Sequence, residues 1–91
     1  MEPVFVYLLE CSDGTIYTGI TKNLQQRMKQ HASGRGSKYV KGRRPFRLVY
    51  YETHANRSMA MKREREIKSF SKFKKQQLID GFTSQARPLA E

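Results

Sequence analysis

Residues 4–9, Val-Phe-Val-Tyr-Leu-Leu, are apolar without interruption. In an extended strand Val4, Val6 and Leu8 face one way and Phe5, Tyr7 and Leu9 the other. A strand with no polar face cannot lie on a surface, so this run belongs in the middle of a sheet with cover on both sides. The rest of the chain has to supply that cover. At 91 residues and 37% hydrophobic content the chain makes one domain, since a second domain would have no core of its own.

The segments that follow fit this requirement. Ser12-Asp13-Gly14 is a turn signal, and residues 15–20 return as a second strand, making an antiparallel hairpin. Gly19 lies inside that second strand, where it marks a bulge or a close approach by a ligand. Thr21 is placed to cap a helix over residues 22–32, with Leu24, Met28 and Ala32 as its apolar stripe. Residues 33–37, Ser-Gly-Arg-Gly-Ser, read as an exposed, mobile loop, and residues 38–44 hold a short helical turn before Pro45. A third strand covers residues 46–52, with Phe46, Leu48 and Tyr50 opposite Arg47, Val49 and Tyr51. Asn56 caps a helix over residues 57–69, and a last helix over residues 72–80 is stopped by Gly81. The expectation is an α+β domain over residues 1–82, a three-stranded, mostly antiparallel sheet flanked by helices, with a flexible tail at 83–91.

Charge narrows the partners. Eighteen Lys and Arg against eight Asp and Glu give a formal net charge of +10, which favours a polyanion. Arg35, Lys38, Lys41, Arg43, Arg44 and Arg47 follow one another with no acidic residue between them. A second basic stretch, from Lys62 to Lys75, also contains Glu64 and Glu66. No apolar run approaches the roughly 20 residues of a membrane span. The start, Met1-Glu2-Pro3-Val4, has no pattern of a signal peptide, and the single cysteine, Cys11, suits a reducing compartment. A cytoplasmic protein that meets nucleic acid and no membrane is therefore expected.

Helical geometry draws attention to three polar side chains. At 100° per residue, Arg27 and His31 fall beside the stripe of Leu24 and Met28. A guanidinium there finds an anion or reaches around to solvent. On the next long helix Glu64 shares a face with Ala60 and Ile67, whereas Glu66 lies well away. A carboxylate so placed needs a cation or a metal ion; Arg63, Lys68 and Arg27 are the available cations. Tyr7 lies in the first strand and Tyr17 in the second, across a tight connection, either as packing residues or as phenols that take part in proton transfer.

Taken together and in order, these residues resemble the GIY-YIG nuclease superfamily, particularly its small standalone members from bacteria and archaea. Val6-Tyr7-Leu8 matches the first signature and Tyr17-Thr18-Gly19 the second, both tyrosines and the closing glycine being kept. The family's arginine falls on Arg27, its frequent histidine on His31, and its metal-binding glutamate on Glu64, within Ala60-Met61-Lys62-Arg63-Glu64. The stretches from His31 to Tyr39 and Gly42-Arg43-Arg44-Pro45 agree with the standalone subfamily. Many members carry an asparagine on the last helix where this chain has Gln76.

The resemblance implies the GIY-YIG endonuclease fold and a divalent-metal-dependent hydrolase of DNA phosphodiesters with little sequence specificity, acting in repair or recombination. It implies one Mg2+ (or Mn2+) ion on Glu64, Arg27 on the phosphate, and Tyr7 as general base, assisted or replaced by Tyr17 or His31. Arg35, Lys38, Lys41, Arg43, Arg44 and Lys68 are the expected contacts to duplex, single-stranded or branched DNA. A monomer or weak homodimer suffices for one active site per chain. The rival expectations are a nucleic-acid-binding module that keeps the fold without turnover, and an RNA-associated accessory protein.

Overall fold

A computed structural model of the chain describes the backbone of residues 2–86 and the side chains of residues 2–83. Strand β1 (Val4–Cys11) is the middle strand of a three-stranded sheet of order β2-β1-β3, antiparallel to β2 (Ile16–Thr21) and to β3 (Phe46–His54). The two faces of β1 enter two separate cores. Val4, Val6 and Leu8 pack with Ala60 and Ile67 of α3 (Arg57–Lys68) and Ile79 of α4 (Lys72–Ala86). Tyr7 and Leu9 pack on the other side with Val40 of α2 (Lys38–Lys41) and with Leu24 and Met28 of α1 (Leu24–Ala32). The sheet is thus covered by α1 and α2 on one face and by α3 and α4 on the other. The doubly apolar first strand requires this arrangement.

The hairpin turn forms where expected. Gly14 takes φ 84°, which only a residue without Cβ adopts cheaply, and its N–H donates to the Cys11 carbonyl at 2.9 Å. Asp13 accepts from the Thr15 backbone N–H at 3.1 Å and from its hydroxyl at 2.6 Å. Cys11, at the end of β1, is buried with a free thiol.

Four local expectations are corrected. Helix α1 is capped by Asn23, whose side chain accepts from the Gln26 N–H, while Thr21 is still buried in β2 and closes the turn that leads in. The stripe of α1 ends on His31, which is fully buried, and Ala32 is exposed. The simple alternation of β3 breaks between the partners of Leu8 and Leu9: Leu8 pairs with Tyr50 but Leu9 with Leu48. Val49 is the extra residue, so Phe46 joins the α1 side while Val49 and Tyr50 join the α3 side. Finally, α4 runs through Gly81 to Ala86. Phe82 lies one residue past that glycine and sets its ring against Tyr50 and Tyr51, 5.5 and 5.2 Å between centroids. That packing outweighs the roughly 1 kcal/mol helix cost of Gly81. Of the expected tail, residues 83–86 are helical and 87–91 lie outside the described residues.

Residues 33–37 are not a loose excursion. The Gly34 N–H donates to the His31 carbonyl, the Arg35 and Gly36 N–H groups both donate to Gln30, and Ser37 caps α2. This fold-back lays Gly36 on the His31 ring: a Cβ on Gly36 would come within 2.4 Å of His31 Nδ1.

Candidate active site

β2 is an edge strand, and its free edge is where the helices from the two faces of the sheet approach each other. Between them lies a cleft of about 470 Å3, lined by Tyr17, Gly19, Ile20 and Thr21 on β2, Gln26 and Arg27 on α1, and Arg57 and Glu64 on α3, with Lys22 and Asn23. Arg27 wraps around the sheet edge. One guanidinium nitrogen, Nη1, donates to the Ile20 carbonyl at 3.3 Å, and Nε donates to Gln30 Oε1 at 3.0 Å. Both partners are neutral, and among the described residues no carboxylate lies within 4 Å of Arg27. Glu64 enters from α3 with one fifth of its side chain exposed and an ion pair to Lys68 at 3.3 Å. Arg63, the other nearby cation on α3, turns away to Glu52 and Glu66 at 2.9 and 2.8 Å.

Directly behind the cleft wall lie Tyr7 and His31, both fully buried, with the Tyr7 hydroxyl 2.7 Å from His31 Nε2. Tyr7 pairs with Gly19 across β1 and β2, and a Cβ on Gly19 would stand 2.5 Å from the Tyr7 oxygen. The close approach that Gly19 serves is therefore to Tyr7, on a strand whose other side opens to the cleft. Burial pushes the Tyr7 phenol up to about 12, Tyr17 adds to the rise, and Arg27 offsets part of it. Burial, and then the positive charge of Arg27, hold the His31 imidazole below its ordinary value. A neutral phenol and a neutral imidazole thus share one hydrogen bond in the interior. Tyr17 is packed edge-on to His31 and stacked on Tyr39, 5.5 and 5.8 Å between centroids. Of the two tyrosines, Tyr17 lines the cleft and Tyr7 does not.

The comparisons with known proteins bear on this constellation. The GIY-YIG catalytic domain matches residues 3–77, from β1 into α4. The chain belongs to the GIY-YIG family. This GIY-YIG domain is 45% identical over 84 residues to a UPF0213 protein of Haloquadratum walsbyi, covering 92% of this chain and 94% of the relative. It is 48% identical over 79 residues to a UPF0213 protein of Staphylococcus aureus, covering 87% and 96%. The solution NMR structure of a UPF0213 protein from Bacillus halodurans resembles it with a TM-score of 0.56 and 47% identity, over 86% of this chain and 83% of that one.

Within the GIY-YIG domain, the sequence-derived residues fall into three groups. Tyr17, Arg27 and Glu64 meet in the cleft, and Tyr7 and His31 form the buried pair behind it. Arg35, Lys38 and Lys41 are exposed on the loop after α1 and on α2. Arg43 and Arg44 lie at the surface and also bond to groups of the fold itself. Arg43 donates to Asp13 and to the Tyr39 carbonyl and lies 3.8 Å over the Tyr39 ring, while Arg44 donates to the carbonyls of Lys41 and Ala32. Gln76 is exposed on α4, bonded to Asp80 and not part of the cleft. Sequence reasoning missed Lys22, Asn23, Gln26 and Arg57 as cleft residues. One signal was available: Lys22 and Arg57 adjoin the caps Asn23 and Asn56, and a cation at a helix N-terminus opposes the helix dipole.

The buried histidine makes a pH prediction. Its folded value is depressed, so in acid the unfolded chain takes up a proton that the folded one refuses. The contribution is fully present above the unfolded value near 6.5 and is lost progressively as pH falls from there toward the lower folded value. The thermal midpoint of the wild type is expected to drop between pH 7 and 5 more steeply than that of His31→Gln. Parallel curves for the two proteins would show that His31 is not held neutral.

Proposed function

We propose that the cleft is the active site of a divalent-metal-dependent endonuclease that hydrolyses DNA phosphodiesters with little sequence specificity. The observation that supports this reading best is Arg27. A half-buried guanidinium with only neutral partners is electrostatically unfinished, and a phosphate in the cleft completes it. Lys22 and Arg57 line the same cleft against the single carboxylate of Glu64, so the cavity carries an excess of positive charge.

The donor set also fits a hard cation. Among the described residues no three His, Cys, Asp or Glu side chains gather around one point. Mg2+ and Mn2+ are nevertheless commonly bound through one or two carboxylates with water and substrate oxygens, and Glu64 is a partly exposed carboxylate facing a polar cleft. When bound there, such an ion supplies Lewis-acid stabilisation of the leaving oxygen. Arg27 holds the phosphate and balances the charge that builds on its oxygens. Tyr17, on the cleft wall, is the tyrosine placed to position or deprotonate a water. Tyr7 and His31 hold that wall from behind. Arg35, Lys38 and Lys41 carry the salt-dependent grip on the backbone, Arg43 and Arg44 bracing the segment that presents them.

The test is a cleavage panel of duplex, single-stranded and branched DNA and matched RNA, with Mg2+, Mn2+ or EDTA. Divalent-dependent cutting of DNA is expected. DNA binding without turnover on any substrate would assign the chain to non-catalytic binding modules, and preference for RNA at matched salt would replace DNA as the ligand.

A further inference from the structure

The cleft does not end at Glu64 and Arg27. A second depression of about 360 Å3, lined by Glu2, Val4, Lys22, Ala55, Asn56 and Arg57, adjoins it. Lys22 and Arg57 line both, so the two form one trough with a pair of cations at the junction. Among the described residues neither cation has a carboxylate within 4 Å. Each also adjoins a helix start, Lys22 before the Asn23 cap of α1 and Arg57 after the Asn56 cap of α3, and neither helix has an acidic residue in its first turn. Positive side chains there are unfavourable to the isolated fold, because the exposed N–H groups already give the helix end a partial positive charge. An anion between Lys22 and Arg57 relieves both repulsions at once. Glu2 supplies the one carboxylate among the residues that line the depression.

We infer that Lys22 and Arg57 form a second phosphate subsite, which takes the phosphate next to the one on Arg27 along the same nucleic-acid strand. This rests on the nuclease reading of the cleft and adds that the preferred ligand is a strand with at least two successive phosphates. Arg27 then acts on the reacting phosphate, and the Lys22–Arg57 pair sets the register of the strand. A substrate with a single phosphodiester reaches the first position and leaves the second empty.

The experiment has two parts. In a Glu64→Gln background with EDTA, binding of a labelled oligonucleotide is followed by fluorescence anisotropy across a salt series. Adding Lys22→Ala/Arg57→Ala is expected to weaken binding about tenfold near 0.1 M salt and to flatten the log–log salt slope by about 0.7–0.9, one phosphate's worth. The charge-matched pair Lys29→Ala/Arg65→Ala, exposed and outside the trough, should lower affinity less than about threefold. With Glu64 restored, the double variant should lose about tenfold in kcat/KM on the oligonucleotide. On the p-nitrophenyl ester of thymidine 5'-monophosphate, which leaves the second position empty, the loss should be at least about threefold smaller than on the oligonucleotide. Unchanged slopes, equal loss in the charge-matched pair, or equal loss on both substrates each overturn the subsite while leaving the nuclease reading intact. A wild-type protein that neither binds nor cuts any oligonucleotide overturns both.

Discussion

Gly19→Ala is expected to lower the thermal midpoint by roughly 10–20 °C. The added carbon would stand 2.5 Å from the Tyr7 oxygen, 2.7 Å from Tyr7 Cζ and 3.1 Å from Tyr17 Cε2. Tyr7 cannot retreat. It is fully buried on the central strand and bonded to His31, whose ring is closed from the far side by the Gly36 backbone. Overpacking of this kind costs about 1–3 kcal/mol or more, and each kcal/mol moves the midpoint of a domain this size by roughly 4–8 °C. Tyr7→Phe removes the nearest atom, so the double variant Gly19→Ala/Tyr7→Phe should recover part of the loss, a non-additivity specific to contact between the two sites. Gly81→Ala is the control. Among the described residues nothing lies within 4 Å of a Cβ there and the position is helical, so the same methyl should stabilise by about 0.5–1 kcal/mol. A Gly19→Ala protein that melts within a few degrees of wild type would mean that the Tyr7–Gly19 contact is loose.

The glycine shows where sequence reasoning stops. Its position inside a strand signals a close approach, but what approaches is settled by the register of β1 on β2. Other features were legible because they depend on one element alone. The central place of β1 follows from apolar residues on both its faces, and the inward turn of Glu64 from 100° steps along one helix. What was not legible depends on two elements meeting. The extra residue at Val49 appears only when β3 pairs with β1. The continuation of α4 past Gly81 is decided by Phe82 against Tyr50 and Tyr51. Lys22 and Arg57 lie 35 positions apart and share a cleft only because α1 and α3 arrive at one sheet edge from opposite faces. Arg43 and Arg44 add a feature that a basic run in sequence does not show: each guanidinium also bonds to groups of the fold itself, Asp13 and the Tyr39 carbonyl for Arg43 and the Lys41 and Ala32 carbonyls for Arg44.

Arg27→Ala and Glu64→Gln should each reduce DNA cleavage by at least about 100-fold, and each should lower the thermal midpoint less than Gly19→Ala does. On the activity side, removing one preorganised donor that meets developing charge typically costs 100- to 1,000-fold, and loss of a metal-binding carboxylate costs at least as much. Arg27→Lys keeps the charge but not the planar fork that can meet two phosphate oxygens at once, so it should recover no more than about a tenth of wild-type activity. On the stability side the expectation is the opposite of what a structural arginine gives. Alanine at 27 loses two hydrogen bonds from a charged donor to neutral partners, the longer of them at 3.3 Å. It also removes a charge that, among the described residues, has no carboxylate within 4 Å and shares a cleft with Lys22 and Arg57, and relief of that repulsion offsets part of the loss. Glutamine at 64 gives up a single pairing, at 3.3 Å, with a Lys68 whose side chain is mostly exposed, which contributes little. A side chain kept where its charge is a burden to the free protein is maintained by what it binds. The two measurements therefore have to be read together. Large losses of both activity and stability would make Arg27 a brace of the β2 edge, and retained cleavage in Glu64→Gln would remove the metal from the site.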